Sequence, residues 1–506
     1  MKFVVLGAYV LMMVIVIAFT AKKNLSLDGF LLGGRKVGAW MSALSYGAGY
    51  FSAVIIVGYA GSIGYAVGFS VIWAGIGNAL IGSFLAWKLL AKPTRVMGER
   101  LDVKTLPSFF EKRYNSKTLK IIASLIIFVF LIPYSASVYK GLGNMFKMAF
   151  GFDYTWTVIG IALLASVYLF AGGYKATAIT DFIQGIIMIG GVAAIIVYIL
   201  KAAGGVSEGL NLLGQDGIGG AGFNTLWPPE GKAVFLGSIV ILTSLGVLGM
   251  PQMIHKFFAI KDTASIKRAT VISTVFALVI AGGVYFAGSF GRVVLTKILS
   301  PEGVIVGDFV KEKSADMIMP TILSNTTVVN IPEIMLGIFV VVLLSASIST
   351  LTALVLSSSS VITLDLIGSI APKMKKETSV WIMRALCIVF VILSLVINFL
   401  MQNTSIVSLM SVSWGTIAGA FLAPFLYGLL WRGVTKIGAY AGVICGVLIS
   451  LLPVIITGDT KTVPAISGAS AMLAGLVIVP VVSKLTQKFS FSPEHIATIF
   501  DDKQTA

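Results

Sequence analysis

The chain has 506 residues, of which 57% are apolar and only 11% charged, with a formal net charge of +16. A soluble domain carries about 25% charged residues, so a water-soluble enzyme is excluded and an all-α polytopic membrane protein is expected, at a mean hydropathy of +0.98. The two cysteines, Cys387 and Cys445, lie in apolar segments, and with only His255 and His495 there is neither a disulfide framework nor a histidine-based metal centre.

Apolar runs of spanning length, about 20 residues, recur along the chain. In order they fall at 3–20, 40–66, 69–91, 118–150, 156–171, 177–201, 234–259, 266–296, 332–366, 378–401, 404–431, 435–457 and 464–484. The first is followed, not preceded, by Lys22 and Lys23, the reverse of a secretory signal. It reads as an uncleaved span with its N-terminus outside. Basic residues concentrate in cytoplasmic loops. With thirteen spans, Lys22, Lys23, Arg35, Lys36, the cluster from Lys88 to Lys120, Lys256 to Arg268, Lys373 to Arg384, Arg432, Lys436 and the tail all fall inside. An odd count, a plasma-membrane location and a cytoplasmic C-terminus follow. The one-sided charge is expected to meet anionic lipid, and nucleic acid is excluded as a partner. Two long outer loops, at 202–232 and 297–331, are expected to be irregular with short helices. No P-loop pattern appears, so ATP is not the energy source.

Two spans carry interruptions. The second contains ALSYGAGYFSAVIIVGYAGSIG, residues 43–64, where unwinding is expected near Gly47–Gly49 and would free the carbonyls of Ala48 and Phe51. The seventh contains SLGVLGMPQ, residues 244–252, where Pro251 removes a helix hydrogen bond. Interrupted helices at matching places in two halves point to the binding site of an inverted-repeat transporter. The expected organisation is an extra helix and loop at 1–39, a five-helix repeat at 40–201, an outer loop at 202–233, a second five-helix repeat at 234–431, and two further helices with a tail at 432–506.

The ninth span is unusual in the other direction. LLSASISTLTALVLSSSSVIT, residues 343–363, is rich in hydroxyls, which are costly against lipid and so face protein or a water-filled cavity. Ala346, Ser349, Thr350, Ala353 and Ser357 recur at three and four and share one face. Most of these hydroxyls are expected to permit close helix packing or to bond back to their own helix. The adjacent Ser349–Thr350 pair is different: two neighbouring oxygens can help complete the shell of a small hard cation if a broken helix opposite supplies carbonyls.

In four stretches, in this order, the chain resembles the sodium:solute symporter family: FLLGGRKVGAWMSALSYGAGYFSA at 30–53, TLPSFFEKRYNSKTLK at 105–120, AGGYKATAITDFIQG at 171–185 and LLSASISTLTALVLSSSS at 343–360. The resemblance implies a five-plus-five inverted-repeat core and a sodium site formed by the carbonyls of Ala48, Phe51 and Ala346 and the hydroxyls of Ser349 and Thr350. It also implies that Asp181, expected near the inner end of the sixth span, lies on the path by which sodium leaves. A site of hydroxyls and carbonyls without a carboxylate favours sodium over hydronium.

The solute is less defined. Relative to the family's proline branch, an acidic position is Tyr50 and two aromatic positions are Thr243 and Val247. Relative to its sugar branch, recognition positions are Ile72, Ile55, Ser244 and Val247. A small organic solute (an amino acid, monocarboxylate or sugar-like compound) is expected, lined by Tyr50, Ser52, Trp73, Asn78, Tyr134, Ser137, Ser244, Gln252, Trp414 and Thr416. Lys140 either attracts a substrate carboxylate or, as is commoner, snorkels to the outer interface. A single chain is expected to suffice. The alternatives are an ion-independent uniporter or channel, against which the Ser349–Thr350 pair argues, and a transporter-like sensor.

Overall fold

The computed structural model describes residues 1–20 and 27–500. Lys22 and Lys23, expected on the inner side, lie outside the described residues, as do the last charges of the tail. Among the described residues the fold is all-helical, with only an isolated bridge between Val37 and Ile260. The helices used below are α1 (Lys2–Thr20), α2 (Ala39–Tyr50), α3 (Lys117–Phe150), α4 (Tyr154–Ala203), α5 (Ala233–Ser244), α6 (Pro251–Ala259), α7 (Thr263–Ala277), α8 (Glu333–Ser360), α9 (Lys376–Leu400), α10 (Ile406–Leu430), α11 (Lys436–Thr457), α12 (Val463–Leu485) and α13 (Pro493–Phe500).

Nine helices among the described residues are long and apolar enough to cross a bilayer, or ten if the bent pair Ala233–Gly249 and Pro251–Ala259 is one span. The expected spans at 3–20 and 156–171 contain the shorter apolar helices Lys2–Val16 and Tyr154–Tyr168. The second and third spans run together as Val54–Arg100, turning sharply at Gly68, whose φ of 64° suits a residue without a Cβ. The connection expected at 172–176 is itself helical, part of the 50-residue α4. Both long loops carry short helices, Val206–Leu213 in one and Val306–Lys313 and Ile318–Ser324 in the other.

Burial separates the helices by role. The apolar window of α8 is 83% buried and that of α10 is 94% buried, against 33% for α9 and 28% for α11. The hydroxyl-rich helix is therefore central, and most of its hydroxyls never meet lipid. Several bond back to their own helix: Ser359 to Val355, Ser360 to Ser357 and Thr363 to Ser359.

The two interruptions are real breaks. α2 ends at Tyr50, Phe51 is extended (φ −106°, ψ 117°), and helix resumes after Ser52. The break therefore lies beyond Gly47–Gly49, where unwinding was expected. Helical bonding persists there because the Phe51 N–H donates to Gly47 O at 3.0 Å. The glycine at 47 serves packing instead: a Cβ there would lie 2.2 Å from the ring of Phe276. In the second break, the 3-10 turn Gly246–Gly249 leads to extended Met250 (φ −81°, ψ 122°), and α6 leaves at 44° to the preceding helix.

α10, α11 and α12 pack through backbone. A Cβ at Gly446 would sit 2.2 Å from Gly419 O, and one at Gly415 would sit 2.7 Å from the Cα of Gly468. Close approach through small residues is what holds helices together in lipid. Gly446→Val is therefore expected to cost about 3 kcal/mol, the upper range for overpacking, read as a lowered unfolding temperature in detergent; an unchanged transition would refute the close crossing.

The loop at 204–232 is pinned at three places. Phe223 O accepts from Phe69 N at 2.7 Å, Leu226 O accepts from the Trp73 indole at 2.9 Å, and Ile218 O accepts from Arg292 at 2.7 Å. At the other end of the chain, α13 lies against Arg113. The Arg113 guanidinium faces the rings of Phe491 and Phe500 and donates to Gly428 O at 2.9 Å and Trp431 O at 3.1 Å.

Candidate ion and solute site

Where α2 breaks, α8 crosses it. The Thr350 hydroxyl lies 3.4 Å from Ala48 O, 3.3 Å from Gly49 O and 3.1 Å from Ala346 O, all buried. One hydroxyl has one hydrogen to give, so three carbonyls converge on a donor that satisfies one of them. The cluster has surplus lone pairs and no net charge, the donor set of a small hard cation. Phe51 is the extended residue of the break itself. Ser347, next on α8, accepts from the Ala53 N–H at 3.1 Å and so ties the resumed helix to the same wall.

Ser349 points its hydrogen elsewhere. It donates to Asp181 Oδ1 at 2.6 Å, which leaves its lone pairs free. Asp181 sits well inside α4 and is only 1% exposed. Its other oxygen accepts from Ser45 of α2 and pairs with Lys256 of α6 at 3.2 Å, while Lys256 also donates to Ser45 at 2.6 Å. Four elements thus meet on one carboxylate. Lys256, counted by the charge pattern among the inner-side basic residues, is not a loop residue but is buried with every other residue of α6. The signal was present, since the span at 234–259 encloses it, and a lysine inside such a span calls for a partner.

A small cavity of about 20 Å³ opens beside the break. Of the expected lining residues it is bounded by Tyr50, Ser52, Asn78 and Tyr134, joined by Phe51, Val54, Ile55, Tyr59, Thr243, Tyr285 and Met410. Tyr50 donates to Thr243 O at 2.5 Å and stacks on Trp414, which meets Tyr134 edge-on with ring centroids 5.7 Å apart. Ser244 stands behind the wall, donating to Asn78 Oδ1 at 3.0 Å. The lining carries no charged side chain, so a solute's charges would meet hydroxyls, an amide and the free backbone of the break.

The remaining candidates lie elsewhere. Trp73 is 44% exposed and bonded to the long loop. Ser137 bonds back to Tyr134 O at 2.6 Å, and Thr416 meets Ser450 of α11 at 3.0 Å. Gln252 borders a second, narrower cavity with Tyr174, Thr177, His255, Lys256 and Thr352. Lys140 neither reaches the interface nor the solute cavity. It is buried, lies 3.7 Å from Asp316, and donates to Gln402 O at 2.7 Å and Thr404 O at 2.5 Å, fastening α3 to the start of α10. Burial pushes the Asp316 carboxyl above its usual range, with Lys140 and the Ile406 N–H opposing. The lining residues Tyr59, Tyr285 and Met410 carried no signal beyond their type, since aromatic and Met residues at helical spacing are common in any core.

Broken spans around a buried oxygen cluster, with a polar-rimmed aromatic cavity at the break, define a membrane transporter of the interrupted-helix kind. The chain matches the sodium:solute symporter family over residues 30–446. A sodium/proline symporter of Staphylococcus aureus is 30% identical over 508 aligned positions, spanning 96% of this chain and 93% of that protein. Among solved structures, a Na+-coupled sialic acid symporter superposes with a TM-score of 0.79 at 17% identity, covering 96% and 97% of the two chains. A nucleobase-cation-symport-1 family transporter superposes with a TM-score of 0.54 at 15% identity, covering 94% and 98%. The latter two are likenesses of fold. This chain belongs to the sodium:solute symporter family, a family of sodium-coupled transporters and not of enzymes.

Proposed function

We propose that the protein carries a small, uncharged or zwitterionic organic solute into the cell together with one sodium ion. The observation that supports this best is the Thr350 cluster, where three carbonyls share one hydroxyl hydrogen beside the break in α2. Sodium is held by the carbonyls of Ala48, Phe51 and Ala346 and the hydroxyls of Ser349 and Thr350. Asp181 turns the Ser349 hydrogen away from the ion and marks the inner route of departure. The solute lies against Tyr50, Ser52, Asn78 and Tyr134, and the name of the 30% identical relative favours a compact amino acid over a sugar.

The architecture we propose is thirteen spans with two inverted five-helix repeats, N-terminus outside and C-terminus inside, working as a single chain with anionic lipid at its basic face. Sodium binding joins α2 to α8 and favours the state that accepts solute, a coupling free energy between two sites. The solute then favours closure of the outer side. A membrane potential of 100 mV adds about 2.3 kcal/mol for each sodium moved inward.

Uptake into proteoliposomes tests this, using labelled amino acids, monocarboxylates and sugars under an inward sodium gradient or with potassium in its place. A compound that accumulates only with sodium is the expected result. Equilibration without ion dependence would favour a uniporter, and no movement of any solute would favour a sensor.

A further inference from the structure

We infer that Lys256 is a tethered cation standing where a second sodium would otherwise bind, and that it thereby fixes the coupling ratio at one sodium per solute. The inference rests on the sodium reading above. Around the buried Asp181 carboxylate stand the hydroxyls of Ser45 and Ser349, on α2 and α8. A carboxylate with two hydroxyls is a hard oxygen set of the sort alkali cations take. The cation in it is the Lys256 ammonium, 3.2 Å from Asp181 Oδ2 and 2.6 Å from the Ser45 hydroxyl.

A second observation points the same way. The narrow cavity that Lys256 borders is also lined by Gln252, His255, Thr177 and Thr352. Both amide atoms of Gln252 and Nε2 of His255 are buried there without a hydrogen-bond partner. Beside the face of the Tyr174 ring, whose centroid is 5.3 Å from the ammonium, the cavity thus also holds the oxygen-bearing side chains of Gln252, Thr177 and Thr352.

Charge decides the occupancy. The Thr350 cluster holds its ion with neutral oxygens, while Asp181 and Lys256 cancel one another. A further sodium at Asp181 would set two cations against one carboxylate in surroundings where charge is poorly screened. Remove the ammonium, and Asp181 is a buried anion in need of a counter-ion.

The test is sodium binding to the purified full chain, by radiolabelled sodium, in the wild type, Lys256→Gln and Lys256→Arg. One sodium per chain in the wild type and in Lys256→Arg, but two in Lys256→Gln, is the expected result. The Hill coefficient for sodium in uptake should rise with it, from about 1 to about 2. Lys256→Gln should also be unstable in sodium-free buffer and be stabilised by added sodium. One sodium in a folded Lys256→Gln, or a variant that sodium does not stabilise, overturns the inference alone. Two sodium ions in the wild type also overturn it. No sodium in the wild type overturns the sodium reading together with it.

Discussion

Thr350→Val is expected to raise the sodium concentration for half-maximal uptake by tenfold or more, while maximal uptake at saturating sodium changes far less. Valine keeps the shape and the burial but removes the oxygen on which the carbonyls of Ala48, Gly49 and Ala346 converge. A polar contact to a charged group contributes about 1.5–3 kcal/mol, which corresponds to roughly 10- to 150-fold in affinity. Ser360→Ala is the matched control, because its hydroxyl on the same helix bonds back to Ser357 O at 2.9 Å. Equal sodium dependence in the wild type and Thr350→Val would remove the cluster from the ion's path.

The second large effect is at Asp181. Asp181→Asn leaves the Lys256 ammonium buried without its charge partner, and breaking a buried pair from one side costs about 3–5 kcal/mol. Asp181→Asn combined with Lys256→Gln removes both charges and is expected to recover most of that stability without recovering sodium-coupled uptake. Thermal unfolding of the wild type, both single variants and the double variant closes a mutant cycle. If the double variant is as unstable as the sum of the singles, the pair is not a unit and the four-helix junction at Asp181 has been misread.

How far the sequence carries such arguments depends on the interaction involved. The boundaries of α3, α9, α11 and α12 follow from local apolar length and fall within a few residues of expectation. The two breaks are also local, written in Gly, Pro and the residues around them. The exact place of the first is not, because Gly47 exists for the ring of Phe276, more than two hundred residues away. Side-chain destinations are the least local of all. Asp365 falls inside an apolar span, yet its carboxylate accepts from Thr105 at 2.6 Å and Ser108 at 2.5 Å of the short helix before α3. Trp73 left the expected solute wall for the same reason, since its partner, Leu226, belongs to a loop with no periodic signal.

That loop has a practical consequence. Its carbonyls at Ile218, Phe223 and Leu226 are held by Arg292, Phe69 and Trp73, which belong to different stretches of helix. It is a brace whose shape depends on how those stretches sit relative to one another. An antibody fragment raised against residues 218–226 would therefore recognise a conformation as much as a sequence. Such a reagent, selected in the presence or absence of sodium, would give a handle for trapping single states of the transport cycle for imaging.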